Sequence, residues 1–313
     1  MERDISLVCD FSLMRTLVDI AKQLGPEMSG LLDAFTQAVV TLLDEIPNVQ
    51  GTSSSFNIYG EEQKQLDLLA NDLLLNALEN SGCVSTIATE ELDKPKKIAE
   101  RGFSVVIDPL DGSSNIESNN LMGTIMGIYQ DALNFPVKPS DQICALYTVY
   151  GPSTTLVFAT RSTAYELVLV RKGEYKGKFV EKKANLIIPE KPSVYGVGGS
   201  KKSWLPAVSK FVEELEQKGL KLRYGGSLVG DFNQVLHNGG VFAYPATLDR
   251  PEGKLRHLYE AGPIAFIAHA AKGYASDGKS SILEKPITRH DQCTPLYVGT
   301  TAVVKRLEEL MRS

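Results

Sequence analysis

Eight consecutive residues, Asp108-Pro109-Leu110-Asp111-Gly112-Ser113-Ser114-Asn115, follow the apolar run 103–107 and concentrate the chemistry of this chain. Two aspartates three apart at the end of a strand, followed by Gly-Ser-Ser, present carboxylate oxygens and backbone N–H groups at one point. Hard cations such as Mg²⁺ take carboxylate and phosphate oxygens, and phosphate takes small-residue turns whose amides are free. An ordinary turn uses the same residue types. The full string after a buried strand favours the metal-and-phosphate reading over that plain one. Thr89-Glu90-Glu91 closes a second β-like run, 84–88, whose end can sit beside the first. Adjacent acids are more often surface charge, so this pair is weakly specified on its own. Farther upstream, Glu61 and Asp67 stand within a leucine-rich stretch. Asp67 is the more telling, because a carboxylate among leucines costs several kcal/mol unless it is paired or neutralised, as a metal or its bound water would do.

The elements that must hold these groups are readable from periodicity. Residues 11–46 read as two helices, with apolar spacing through Leu13, Leu17, Ile20 and Ala21, a break at Gly25-Pro26 and a second run over 31–43. The segment 61–80 reads as a third helix, so rich in leucine that most of its circumference belongs between layers. Strands follow at 84–88, 103–107, 123–129, 143–150, 154–160, 165–170 and 174–180, a sheet of mostly meander type. Beyond residue 191, helices at 207–218, 228–237 and 261–272 alternate with strands at 240–244 and 295–299, a second α/β layer set. Pro189-Glu190-Lys191-Pro192 is the natural boundary, dividing the chain into 1–190 and 191–313. Lys94-Pro95-Lys96-Lys97 reads as a solvated loop.

Composition narrows the function class. With 43% hydrophobic and 23% charged residues among 313, the chain has a large core to bury and is not a disordered one. Its 33 basic against 38 acidic side chains give a net charge of −5, which leaves no electrostatic footprint for nucleic acid. No apolar run is long enough for a membrane span, and the start MERDISLVCDFS lacks the basic and apolar regions of a signal peptide, so a cytoplasmic protein is expected. Cys9, Cys83, Cys144 and Cys293 are scattered, as are His237, His257, His269 and His290; reduced thiols and no zinc site are expected.

Taken together, the motifs closely resemble the class I fructose-1,6-bisphosphatases, part of the lithium-sensitive, metal-dependent phosphatase superfamily that includes the inositol monophosphatases. DPLDGSSN (108–115), GTIMGIY (123–129), YGPSTTLV (150–157), RYGGSLVGDFNQ (223–234), GGVFAYPAT (239–247) and KLRHLYE (254–260) occur in family order, and the resemblance runs from about residue 11 to residue 312. It implies a layered αβαβα sandwich of the α/β (α+β) class, a homo-oligomer (tetramer or dimer), and a small-molecule sugar bisphosphate as substrate. The implied reaction is hydrolysis of the 1-phosphate of fructose 1,6-bisphosphate by metal-activated water, in gluconeogenesis or pentose phosphate regeneration. Alternatives are sedoheptulose 1,7-bisphosphate as sole or second substrate, another phosphate ester of the superfamily, or a non-catalytic phosphosugar-binding regulator.

Carried over position by position, the resemblance makes Glu90, Asp108, Asp111, Glu260 and the Leu110 carbonyl ligands of Mg²⁺, with Mn²⁺ as the alternative ion. Glu91 and Asp67 match the pair that polarises the attacking water. Glu61 stands where the family usually has aspartate. Gly112, Ser113 and Ser114 match the turn around the 1-phosphate. Arg223, Tyr224, Tyr244, Lys254 and Arg256 match the residues holding the sugar and distal phosphate, with Arg223 implied to reach a neighbouring subunit's site. Two departures stand out. Val197 and Ser200 replace Asn and Tyr near the distal phosphate, where Gly198-Gly199-Ser200-Lys201-Lys202 offers other amides and cations. Gly102 and Gln130 replace the Lys and Arg that hold the AMP phosphate in allosteric members, so a degenerate loop at 25–29 and weak or absent AMP inhibition are expected.

Overall fold

A computed structural model describes residues 15–49, 52–56 and 62–313. Helices α1 (Leu17–Ala21), α2 (Pro26–Glu45) and α3 (Gln65–Asn80) form the first layer. The break foreseen at Gly25-Pro26 is real: Gly25 takes a positive φ and Pro26 opens α2 at its first position, where no backbone donor is lost. Met28, Leu31, Leu32, Phe35, Val39 and Leu42 recur at helical spacing and are buried. On α3 only Gln65, Asp72, Asn76 and Asn80 are exposed, as the leucine content requires.

Against these helices lies an eight-stranded sheet. Its strands are β3 (Val84–Thr89), β4 (Lys96–Lys97), β5 (Phe103–Asp111), β6 (Gly123–Tyr129), β7 (Gln142–Val149), β8 (Thr155–Thr160), β9 (Ala164–Leu169) and β10 (Phe179–Lys183), in the order β10-β9-β8-β7-β6-β5-β3-β4. A short ribbon, β1 (Thr52–Phe56) with β2 (Glu62–Lys64), precedes α3. The sheet is an antiparallel meander except for β3 and β5, which run parallel, with Thr89 beside Ile107. That exception positions the site: parallel neighbours end on the same side, so the residues following both strands emerge together.

The second sheet is β12-β11-β13-β17-β15, built from β11 (Val194–Val197), β12 (Lys221–Leu222), β13 (Gly240–Tyr244), β15 (Tyr274–Ser276) and β17 (Leu296–Gly299). Helices α5 (Leu228–Asn238) and α6 (Gly262–Ala270) fill the space between the sheets, and α4 (Pro206–Gln217) with α7 (Thr301–Arg312) covers the outer face. The result is the αβαβα sandwich. Its core is divided accordingly: one apolar cluster under α2 and α3, one between the sheets, one under α4 and α7, and a smaller one around Val106, Leu258 and Tyr259. Eight of the nine residues of α6 are buried, as a helix enclosed on both sides must be. A two-stranded ribbon, β14 (Leu255–Arg256) with β16 (Cys293–Thr294), closes one end.

Several elements differ from expectation: Lys96–Lys97, read as part of a solvated loop, are exposed but pair with β3 as β4, and β11, β12 and β15 were not foreseen. The third helix begins at Gln65 rather than 61, because 62–64 pair with β1. The strand expected over 174–180 begins only at Phe179, since Gly173 and Gly177 take positive φ and turn the chain. The helix expected over 261–272 is Gly262–Ala270, preceded by a π-helical turn, His257–Ala261, whose five residues are all buried.

Candidate active site

A cavity of about 440 Å³ opens where the residues after β3 and β5 emerge. Glu90 and Glu91 follow β3, and the Glu90 N–H donates to the Ile107 carbonyl at 3.2 Å, joining the two strand ends. Asp108, Leu110 and Asp111 end β5 and line the same cavity, as does Asp67 from the first turn of α3. Asp67 is buried on the leucine-rich α3 and is not left without a partner. Glu260 reaches the cavity from the π-helical turn, a single-turn irregularity of the kind found at functional sites. Its carboxylate accepts the Arg256 backbone N–H.

Asp108, Asp111 and Glu260 offer oxygens within 4.8 Å of one another, and all three are buried. Burial pushes each carboxyl up, and neighbouring carboxylates add to this. Asp108 is raised well above its ordinary value by burial and then by Glu90, Asp111 and Glu260. Glu260 is raised in the same way by burial and Glu90. Asp111 is pushed up to about 6 by burial, against the pull of the Val229 and Leu228 amides. Those amides, at 2.9 and 3.2 Å, belong to the N-terminus of α5, so a helix dipole partly offsets the burial of Asp111. Buried all-oxygen donors that repel one another fit a hard divalent cation, which would reverse the local sign.

Gly112, with φ +82°, turns the chain into a short 3-10 segment, Ser113–Asn115, and Gly112, Ser113 and Ser114 form one wall. Tyr224, Tyr244, Lys254 and Arg256 line the same cavity. Burial opposes the charge of Arg256, yet Glu90 and Glu260 outweigh it and hold the guanidinium above its usual pKa; Nε lies 3.5 Å from Glu90 Oε1. Tyr224 is pushed up to about 12, first by burial.

The cavity thus gathers the carried-over metal, catalytic and substrate residues except two, and the stretch 198–202 offered for the distal phosphate does not line it. Arg223 is exposed beside β12 and does not line the cavity; its Nη1 donates to the Leu222 carbonyl at 2.9 Å. Glu61 lies outside the described residues. Sequence reasoning missed Asp231, which also lines the cavity. Its two carboxylate oxygens accept the Gly225 and Gly226 N–H groups at 2.6 and 3.0 Å. Asn115 Nδ2 donates to the carbonyls of Leu121 and Gly225, both at 2.9 Å, and so stitches the phosphate-type turn to the loop carrying Tyr224. The available signal was an acid in the first turn of an apolar helix directly after Gly225-Gly226.

Comparison with known proteins gives concordant matches. Residues 15–180 match the family model described as fructose-1-6-bisphosphatase, N-terminal domain, and residues 188–312 the C-terminal domain of the same description. A fructose-1,6-bisphosphatase class 1 from Natronomonas pharaonis is 40% identical over 89% of this chain and 99% of its own length. Another, from Geobacter sulfurreducens, is 39% identical over 83% of each. The crystal structure of Leishmania major fructose-1,6-bisphosphatase in holo form superposes with a TM-score of 0.89 at 30% identity, covering 96% of this chain and 99% of that one.

Proposed function

We propose, from the fact that this chain belongs to the class 1 fructose-1,6-bisphosphatase family of phosphatases, that it hydrolyses the 1-phosphate of fructose 1,6-bisphosphate with Mg²⁺. The observation that carries the reading is one cavity that joins a buried carboxylate cluster, a Gly-Ser-Ser turn, and tyrosines and cations in its lining. Its volume suits a small phosphosugar.

In this reading Glu90, Asp108, Asp111, Glu260 and the Leu110 carbonyl hold the metal. A bound divalent ion supplies charge for the phosphoryl oxygens and acidity for water. Glu91 and Asp67 orient the attacking water and take its proton, and Glu61, standing where the family usually has aspartate, joins them as a catalytic carboxylate able to hold a metal. Gly112, Ser113 and Ser114 offer amides and hydroxyls to the scissile phosphate. Arg256 and Lys254 meet the distal phosphate, a fork and a point charge respectively, and Tyr224 and Tyr244 add directional hydroxyls. Arg223, which does not line the cavity of its own chain, is left to serve a second copy in a homo-oligomer, a dimer or tetramer. Division at residue 190 and cytoplasmic residence belong to the same proposal; no described helix is long and apolar enough to cross a membrane.

Phosphate release from fructose 1,6-bisphosphate and sedoheptulose 1,7-bisphosphate, each with Mg²⁺ and with EDTA, tests the proposal. Metal-dependent release that favours the fructose ester supports it. Release from the sedoheptulose ester alone refutes the substrate, and binding of both without hydrolysis refutes the enzyme.

A further inference from the structure

Two strings prominent in the sequence, GTIMGIY (123–129) and YGPSTTLV (150–157), have no part in the chemistry above, yet Thr124 and Tyr150 pack behind the acidic turn. Asp108 and Asp111 are three apart on β5, and regular alternation along a strand sends residues an odd number apart to opposite faces. Both nevertheless reach one cavity, because β5 carries a bulge between them: Asp108 pairs with Ile125 and Asp111 with Gly123, so three steps on β5 match two on β6.

The extra residue falls at Pro109-Leu110, opposite Thr124. Pro109 has no N–H, and the Leu110 N–H donates to Asp108 Oδ1 at 3.0 Å. The Pro109 carbonyl accepts from Thr124 Oγ1 at 2.8 Å. That hydroxyl has a single proton, so the Tyr150 hydroxyl 2.5 Å away is the donor to Thr124. Thr148 adds a second hold on the same residue: its hydroxyl accepts the Thr124 N–H at 2.9 Å. Thr124, Thr148 and Tyr150 are all buried. In a dry interior each such link strengthens the next, and a carbonyl left without its donor is heavily penalised.

We propose that Thr124, backed by Tyr150, is a positioning residue for the metal site: it pins the Pro109 carbonyl, fixes the bulge and so keeps Asp108 and Asp111 on one side. The inference rests on the reading that these carboxylates hold the divalent ion, as set out under the proposed function.

The test is equilibrium binding of Mn²⁺ to the full chain without substrate, read from the spin-resonance signal of free ion, followed by kinetics on fructose 1,6-bisphosphate. Thr124→Val removes the hydroxyl at constant volume and is expected to weaken Mn²⁺ binding about 10-fold or more, the usual scale for groups that orient ligands. Thr124→Ser restores the hydroxyl and is expected to remain within about threefold of the wild type, a rescue that a purely packing role does not give. At saturating metal the KM of Thr124→Val for the bisphosphate stays within about twofold, since Lys254 and Arg256 are untouched. Wild-type Mn²⁺ affinity in Thr124→Val, or equal weakening in Thr124→Ser, overturns the proposal. Should Thr124→Val not fold, Tyr150→Phe decides: about threefold weaker binding supports the hydroxyl chain, and unchanged binding overturns it. A wild type that binds Mn²⁺ with this ranking of variants but does not hydrolyse the ester refutes the substrate reading and leaves the positioning role standing. A wild type that binds no Mn²⁺ refutes both.

Discussion

Replacing Gly112 with alanine tests how tightly the phosphate-type turn is seated against α5. A Cβ at that position lies 2.5 Å from Ser227 Cβ and 3.2 Å from the Leu121 carbonyl oxygen. Carbon atoms rest about 3.5–4.0 Å apart, so roughly 1 Å must open between the turn and Ser227. Ser227 caps α5 by accepting the Gly230 N–H at 3.0 Å, and the next two amides hold Asp111. The displacement is therefore delivered to a carboxylate of the site, where about 1 Å of misplacement costs on the order of 100-fold in rate. The positive φ of Gly112 adds a strain of about 1–2 kcal/mol for any residue with a Cβ. Gly82→Ala isolates that strain, because Gly82 has φ +70° and a methyl group there meets nothing within 4 Å. Phosphate release at saturating Mg²⁺ and thermal melts are the assays. Both variants lose a few degrees of Tm, but only Gly112→Ala loses about 100-fold in kcat/KM. Activity of Gly112→Ala within threefold of the wild type refutes the reasoning.

Three further outcomes are expected. Asp108→Asn removes one of the mutually repelling buried carboxylates, so without metal it melts above the wild type at pH 7, while the Tm gain on adding Mg²⁺ shrinks and activity is lost; a full Mg²⁺ shift in this variant contradicts the metal assignment. Glu166 is opposed by burial but held at about 2 by His237 and Lys182, so its stabilising effect is complete above the unfolded value near 4.5 and is lost as pH falls from there toward 2; melts of Glu166→Gln against wild type must converge over that window, and a pH-independent gap counts against it. AMP at micromolar concentration leaves the rate unchanged, because Gly102 and Gln130 stand on the wall of the cavity of about 500 Å³ that includes Glu27, and its Lys97 is paired with Glu100; half-inhibition in that range overturns the expectation.

Much of this was legible because local signals and burial agree. GTIMGIY and GVFAY are apolar, bounded by turn residues, and occupy β6 and β13 over the same residues as expected. Asp67 was legible as a buried acid because no leucine-rich helix retains one without a partner. What periodicity does not carry is pairing between distant segments. The ribbon of 62–64 with β1 shortened the leucine helix, and the π-helical turn that carries Glu260 runs without a break into the helix it precedes. The bulge at Pro109-Leu110 and the grip of Asp231 on Gly225 and Gly226 depend on a partner strand and a loop that periodicity along one segment does not reveal. Arg223 reads as a site cation in its motif, yet within one chain it does not line the cavity.

The central claim is that this cavity cleaves the 1-phosphate of fructose 1,6-bisphosphate with a metal held by Asp108, Asp111 and Glu260. Phosphorus NMR of the reaction with purified protein and Mg²⁺ tests it most directly. The account predicts one equivalent of inorganic phosphate, loss of the 1-phosphate resonance, retention of the 6-phosphate, and no turnover by Asp108→Asn. An unchanged spectrum, loss of the 6-phosphate first, or full turnover by Asp108→Asn contradicts it.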